Sequence, residues 1–265
     1  SYTSGTTGLP KGAMLTHTNI IFFSRNVRTA IPMYDSDEYV SYISPAWATE
    51  QFLGVTSGLD VPLKVNFPEE PETVMEDVRD IGPDLLFYVP RLWEDLASLV
   101  RMKIDDTSRF KRLLYNLGLK VGYKAVGYIE RRRPIPWHWK ALHRLADMMV
   151  LRATRDQIGL ARARACFTAA MAASPDLVHF YWALGARMKN IYGSTECGLV
   201  SAPVESDFKF ESVGKVLPAQ EMKLVNGEIF VKGPGVFAGY WKNPEATAKK
   251  IVDGWYQTGD AGWVD

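Results

Sequence analysis

Three widely spaced stretches of this chain carry residue types that bind phosphate, metal or sugar. The first is Ser1-Tyr2-Thr3-Ser4-Gly5-Thr6-Thr7-Gly8-Leu9-Pro10-Lys11-Gly12. Its glycines let backbone N–H groups come close to a ligand, its hydroxyls donate further hydrogen bonds, and Lys11 adds a point charge suited to phosphate. It is not the ordinary P-loop, which ends in Gly-Lys-Ser/Thr; here Pro10 precedes the lysine and Gly12 follows it. A plain Gly/Thr-rich surface turn has the same composition. The second stretch is Tyr192-Gly193-Ser194-Thr195-Glu196, expected at the C-terminal end of a strand, where open α/β sheets bind ligands. An aromatic ring there stacks on a nucleobase, Gly193 admits a close approach, Ser194 and Thr195 reach phosphate oxygens, and Glu196 suits Mg2+. The same five residues also read as a helix N-terminus capped by Ser194 or Thr195. The third stretch is Trp255-Tyr256-Gln257-Thr258-Gly259-Asp260. A carboxylate beside a glycine turn suits a ribose diol, although an aspartate bonding its own backbone is the commoner use of such a turn.

Other chemistries find less support. The four histidines, His17, His138, His143 and His179, have no spacing that suggests a metal site or a catalytic triad. The two cysteines, Cys166 and Cys197, make no disulfide framework and point to a reducing, cytoplasmic setting; Cys197 reads as a packed small residue. No run approaches the ~18 apolar residues of a membrane span. The net charge of +1 conceals an asymmetry: 101–164 holds sixteen Lys/Arg against five Asp/Glu. Such a segment reads as a solvated helical face, or as a basic surface touching anionic lipid at the inner face of a membrane or a phosphorylated cofactor. No nucleic-acid-binding module accompanies it.

The elements that position these residues alternate. A short strand is expected over 13–16, then a helix through 20–30 capped from His17-Thr18-Asn19. Strands are expected over 39–44, 61–67 and 85–89, with helices over 50–59 and 71–81 between them. A long helical region runs from Pro90 to about Gly159, broken near Pro134-Ile135-Pro136. A strand over 164–168, a helix over 175–184 and a strand over 187–191 lead to Tyr192. After Pro203 the texture becomes short alternating runs, with Asn226-Gly227 a hairpin turn. The fold class is therefore α/β: a layered, mostly parallel sheet with flanking helices, a helical insertion at about 91–160, and a small β-rich subdomain over 204–265 of the same domain that holds 1–203.

The order of the three stretches, together with Gly239-Tyr240-Trp241 and Pro244-Glu245-Ala246-Thr247, closely resembles the adenylate-forming enzymes, and the likeness covers essentially the whole chain. The resemblance implies ATP, Mg2+ and CoA as ligands. It implies that Thr3, Ser4, Gly5, Thr6, Thr7, Gly8 and Lys11 hold the β- and γ-phosphates, and that Tyr192, with Gly193 and Ser194, lies against adenine. Thr195 would contact phosphate, Glu196 would bind Mg2+, and Asp260 would bind the ribose hydroxyls. Thr6, Lys11, Thr195 and Glu196 would then be the catalytic group. Val89-Pro90-Arg91-Leu92-Trp93-Glu94 and the helical insertion resemble the long-chain fatty acyl-CoA synthetase branch, which implies a long-chain fatty acid as acyl substrate. A nucleotide- or acyl-binding remnant, or an adenylating enzyme for another carboxylic acid, is the alternative.

Two departures from the family pattern stand out. Where the family has a Gly-rich turn, this chain has Thr168-Ala169-Ala170-Met171-Ala172, so Ala170 and Met171 occupy the place where backbone meets adenine and acyl group. Added side chains there alter pocket shape or require a changed backbone. Ser44-Pro45-Ala46-Trp47-Ala48-Thr49-Glu50 replaces a segment that often carries a histidine; Trp47 either lines the acyl tunnel or packs in the core. The resemblance further implies a mobile C-terminal domain with the principal catalytic lysine, and a preceding part of the large domain. The expectation is a central fragment of such an enzyme, inactive by itself.

Overall fold

The computed structural model of the chain describes residues 1–3, 10–204 and 208–265. The expectations for Ser4, Gly5, Thr6, Thr7 and Gly8 lie outside the described residues. Tyr2–Thr3 (β1) runs antiparallel to Lys11–Met14 (β2), with Thr3 opposite Lys11. The expected strand thus lies two residues earlier, because Thr16 belongs to the helix start. The Thr16 hydroxyl accepts from the Asn19 N–H while Asn19 Oδ1 accepts from the Thr16 N–H, a reciprocal capping box that opens α1 (His17–Ala30). Thr16, rather than a residue within 17–19, is the cap.

β3 (Glu38–Val40) leads to α2 (Ala48–Glu50), a π-helical stretch Gln51–Thr56 and α3 (Ser57–Asp60). β4 (Lys64–Asn66), α4 (Val74–Ile81) and β5 (Leu85–Phe87) follow. The strands are shorter than the β-rich runs in the sequence: β3 starts one residue before 39–44 and ends at Val40, and β5 keeps the first three residues of 85–89. The basic region comprises α5 (Pro90–Asp105), α6 (Arg109–Glu130) and α7 (Trp137–Ala146), which passes through a π-helical stretch Asp147–Leu151 into α8 (Arg152–Asp156). Besides the break at the prolines there is one at 106–108, where Ser108 caps α6 by accepting from the Lys111 N–H. β6 (Ala165–Thr168), α9 (Pro175–Leu184) and β7 (Met188–Asn190) complete a five-stranded, all-parallel sheet of order β4-β3-β5-β6-β7.

Alternation along the strands explains the layers, since successive side chains leave a strand on opposite faces. Leu86, Cys166 and Met188 point to one side and pack with Trp93, Tyr181 and Leu184 beneath α5, α6 and α9. Leu85, Phe87 and Phe167 point to the other and pack with Phe23, Phe52 and Val27 beneath α1 and the π-helical stretch. A sheet buried on both faces reads as a continuous apolar run, which is why β5 was legible.

The remaining strands are short and antiparallel. β8 (Tyr192–Ser194) pairs with β9 (Gly198–Ala202), and β9 with β10 (Lys215–Val216). β11 (Glu221–Val225) and β12 (Glu228–Lys232) form the expected hairpin, with Asn226 and Gly227 at φ 53° and 82°. β13 (Gly239–Tyr240) pairs with β2; α10 (Pro244–Lys250), β14 (Ile251–Val252) and β15 (Trp255–Ala261) close the chain. Strands from 204–265 are thus stitched onto β9 and β2, and they carry the third stretch of site residues back to the first two. No helix among the described residues is long and apolar enough to cross a membrane.

Candidate functional site

β6 and β7 end side by side, with Thr168 opposite Asn190 and the Ile191 N–H donating to Thr168 O. This brings the Thr168–Ala172 turn and the start of β8 to one edge of the sheet, the edge at which parallel α/β sheets take ligands. Tyr192, Gly193 and Ser194 are themselves a strand, and Thr195 to Cys197 form its tight turn into β9. The alternative of a helix N-terminus is therefore overturned. Gly193 does admit a close approach, but of backbone: a Cβ there would collide with Gly198 O across the hairpin.

The long excursion through β11 to β15 returns Asp260 to this hairpin. Tyr192 donates its phenolic hydrogen to Asp260 Oδ2 at 2.7 Å. Burial holds the Tyr192 phenol well above its ordinary pKa, so it is the donor. Asp260 lies within β15 and not on the expected turn, and the stretch that presents it is fixed from several sides. Thr258 Oγ1 donates to Ile229 O and accepts from the Asp260 N–H, the Gly259 N–H donates to Glu228 Oε1, and Lys250 Nζ donates to Thr258 O. The Asp260 carboxylate bonds the Tyr192 hydroxyl.

Glu196 is buried at 8% exposure, and its Oε1 accepts from the Tyr240 hydroxyl at 3.0 Å. Burial, and then the Glu196 carboxylate beside it, keep the Tyr240 phenol protonated. Phe237 stands edge-on to both Tyr240 and Tyr256, which walls this pair from solvent. Lys11 Nζ sits 5.3 Å from the centre of the Tyr240 ring. Pairing of β13 with β2 is what places Tyr240 between the lysine and the carboxylate. The sequence marked Gly239-Tyr240-Trp241 as a motif but assigned Tyr240 no part; a tyrosine on a two-residue strand carries no local signal of the carboxylate it will meet.

Thr3 Oγ1, opposite Lys11 in the β1–β2 ladder, is enclosed without a hydrogen-bond partner among the described residues. Ser1 Oγ donates to Ala46 O, which ties the chain start to the segment carrying Trp47. Trp47 is 56% exposed, so core packing is excluded for it. Ala170 adopts a left-handed backbone at φ 75°, the conformation a glycine would take without strain, and Met171 beside it is exposed. The turn is held nonetheless, because Asn190 Oδ1 accepts from the Ala173 N–H and Asn190 Nδ2 donates to Ala173 O.

The structure thus joins Tyr192 with Asp260, and Lys11 with Tyr240 and Glu196, and puts Ala170 and Met171 on the same sheet edge. Ser194 Oγ faces Cys197 Sγ at 3.2 Å, and Thr195 lies in the turn. Cys197 is fully buried with its thiol pushed up to about 12, as fits a packed residue. Among the described residues no three His, Cys, Asp or Glu gather into a metal cluster; Glu196 is a single oriented carboxylate. A cleft of about 580 Å3 bordered by Arg164, Ala165 and Arg187 opens at the start of β6 and β7, the opposite end of the sheet.

Comparison with known proteins bears on this arrangement. A family model described as AMP-binding enzyme matches residues 1–241. A probable chloroplastic acyl-activating enzyme of Arabidopsis thaliana is 30% identical over 311 residues, covering 99% of this chain and 41% of its own length. A long-chain-fatty-acid–CoA ligase of Mus musculus is 30% identical over 287 residues, covering 100% of this chain and 41% of its own. The chain therefore spans less than half the length of these relatives. Among solved structures, o-succinylbenzoate CoA synthetase from Bacillus subtilis, in complex with its acyl-adenylate intermediate, superposes with a TM-score of 0.69 at 21% identity, over 100% of this chain and 46% of its own.

Proposed function

The chain belongs to the AMP-binding enzyme family, and we propose that it carries the nucleotide site of a ligase that activates a long-chain fatty acid with ATP and passes the acyl group to CoA. The observation that supports this reading is the 2.7 Å bond between Tyr192 and Asp260, which joins an aromatic ring to a carboxylate of the kind a diol takes. The acyl class rests on the helical insertion and on relatives named as fatty-acid–CoA ligases.

In this reading Tyr192 lies against adenine and Asp260 accepts from the ribose hydroxyls, while Thr3 and Lys11 offer hydroxyl and ammonium donors to the β- and γ-phosphates. The substrate carboxylate is ionised near neutral pH, so it attacks the α-phosphorus without a general base. Its oxygen bonds to phosphorus as the bond to pyrophosphate breaks. The chain's part is alignment and neutralisation of charge on the leaving group, a role this reading gives to Lys11 and Thr195. In the second step the CoA thiolate attacks the acyl carbonyl carbon, and the carbon–oxygen bond to AMP breaks. A buried carboxylate oriented by Tyr240 is a hard oxygen donor of the kind Mg2+ takes, so Glu196 fits that ion. When bound, Mg2+ supplies positive charge at the phosphates.

Ala170 at φ 75° with Met171 exposed changes the wall where adenine and acyl group meet, which favours a second reading: the same chemistry on a different carboxylic acid. ATP–pyrophosphate exchange across a panel of acids tests both. Exchange that rises with acyl chain length to palmitate supports the first. Preference for a short or aromatic acid replaces it with the second, and nucleotide binding by calorimetry with no exchange for any acid leaves only a binding role.

A further inference from the structure

The hairpin of α6 and α7 turns a surface to solvent that is both apolar and basic. Residues 109–156 hold twelve Lys/Arg against three Asp/Glu. Two of those acids are paired with side chains of the fold: Glu130 lies 3.3 Å from His179, and Asp147 lies 2.6 Å from Arg155, which is itself buried. On α6, Phe110, Leu113 and Leu117 are exposed at steps of three and four, and the same stripe continues as the exposed Lys120 and Lys124. On the helix folded back against it, Leu142, Leu145 and Met149 are exposed at the same steps, and the stripe ends on exposed Arg152. A Cβ on Gly118 would meet Ala146, Val150 and Leu151, so Leu117 and Met149 stand at a common height on the hairpin. Trp137, where the chain turns into α7, is 80% exposed.

We propose that this hairpin docks on a membrane surface rich in anionic lipid. Exposed leucines alone would not choose a partner; the charge around them does. An apolar stripe that runs on into lysines along one helix face matches the boundary between acyl chains and negatively charged headgroups. An exposed tryptophan suits the same depth. The helices are not apolar enough to span, so the contact is one of lying on the surface. With twelve cations against three acids, the segment keeps a basic surface even though Glu130 and Asp156 are exposed. This contact stands apart from the nucleotide site and does not depend on which acid, if any, the chain activates.

The test is partitioning of the full chain between buffer and sedimentable vesicles, either pure phosphatidylcholine or phosphatidylcholine with phosphatidylserine. The expected result is binding to the phosphatidylserine vesicles, weakened by salt and weak on phosphatidylcholine alone. Lys120→Glu with Lys124→Glu is expected to lower the partition coefficient on the order of tenfold or more. Leu117→Asn with Leu145→Asn should lower it on both vesicle types. Equal partitioning of wild type and the lysine variant, or no binding to phosphatidylserine vesicles, overturns the proposal. Should a variant fail to fold by circular dichroism, Trp137 decides the matter. Its emission, taken as the difference between wild type and Trp137→Phe, should be quenched by brominated lipid in the anionic vesicles, and lack of quenching overturns the proposal. A concentration-dependent dimer abolished by the leucine substitutions would instead assign the face to a second copy of this chain and equally overturn the lipid reading.

Discussion

The Tyr192 hydroxyl donates to the Asp260 carboxylate at 2.7 Å across a separation of 68 residues. The bond fixes which edge of the tyrosine ring is free and where the carboxylate oxygens point. If those oxygens take ribose hydroxyls, Asp260→Ala should weaken ATP binding roughly ten- to a hundredfold, the range for hydrogen bonds to a charged group. The same substitution should cost little with 2′,3′-dideoxy-ATP, which has no diol to lose. Titration calorimetry with both nucleotides checks this; an equal loss with the two would remove Asp260 from the ribose.

Tyr240 donates to the Glu196 carboxylate at 3.0 Å in a buried setting. Tyr240→Phe keeps the ring that packs against Phe237 and Lys11 but leaves a carboxylate oxygen short of its partner. About 1–3 kcal/mol of folding stability should be lost, measured as a shift in the urea midpoint. If Glu196 is the metal ligand, the variant should also need more Mg2+ for half-maximal pyrophosphate exchange, whereas a purely structural role would leave that requirement unmoved.

Ala170 holds φ 75° with a Cβ in place. Left-handed backbone costs an L-residue about 1–2 kcal/mol, and glycine gives part of that back as greater freedom of the unfolded chain. Ala170→Gly should therefore stabilise the protein by up to about 1 kcal/mol, read from thermal or urea unfolding. A destabilised glycine variant would show that the alanine methyl is packed rather than strained.

Glu50, at the junction of α2 and the π-helical stretch, is 1% exposed and accepts from Ser41 Oγ at 2.6 Å and Tyr39 Oη at 3.1 Å. Burial raises its pKa, and the two donors offset that only in part. A carboxyl whose folded pKa lies above its unfolded one favours folding below the ordinary carboxylate range and loses that contribution as pH rises through the folded value. Urea midpoints should thus contain a component that falls as the solution is taken from acid towards neutral pH. Glu50→Gln should lack it and be at least as stable as wild type at neutral pH; an unchanged pH profile would show that Glu50 titrates as it does when unfolded.

Much of the fold was legible because its signals are local. The apolar run Leu85-Leu86-Phe87 marks a strand buried on both faces, Pro175 to Leu184 carries its own start and stop, and Asn226-Gly227 dictates a hairpin with positive φ at both residues. The break at 106–108 was not legible, since Ser108 caps a helix inside a run that is helical on either side. Residue types alone also singled out Lys11, Tyr192, Glu196 and Asp260, because phosphate, base, metal and diol each call for a recognisable side chain.

What the sequence by itself determined is therefore the set of groups and the short elements that carry them. Which of them meet was decided only by tertiary structure. Tyr240 reaches Glu196 because β13 pairs with β2, Asp260 reaches Tyr192 because β15 lies on β12, and a side chain on Gly193 is barred by the Gly198 carbonyl across the hairpin. Strand order and register are set by contacts between residues tens of positions apart, summed over the whole core. No window of the sequence contains that sum, and so none could disclose that Tyr240 holds Glu196 or show that Ala170 takes a glycine's backbone.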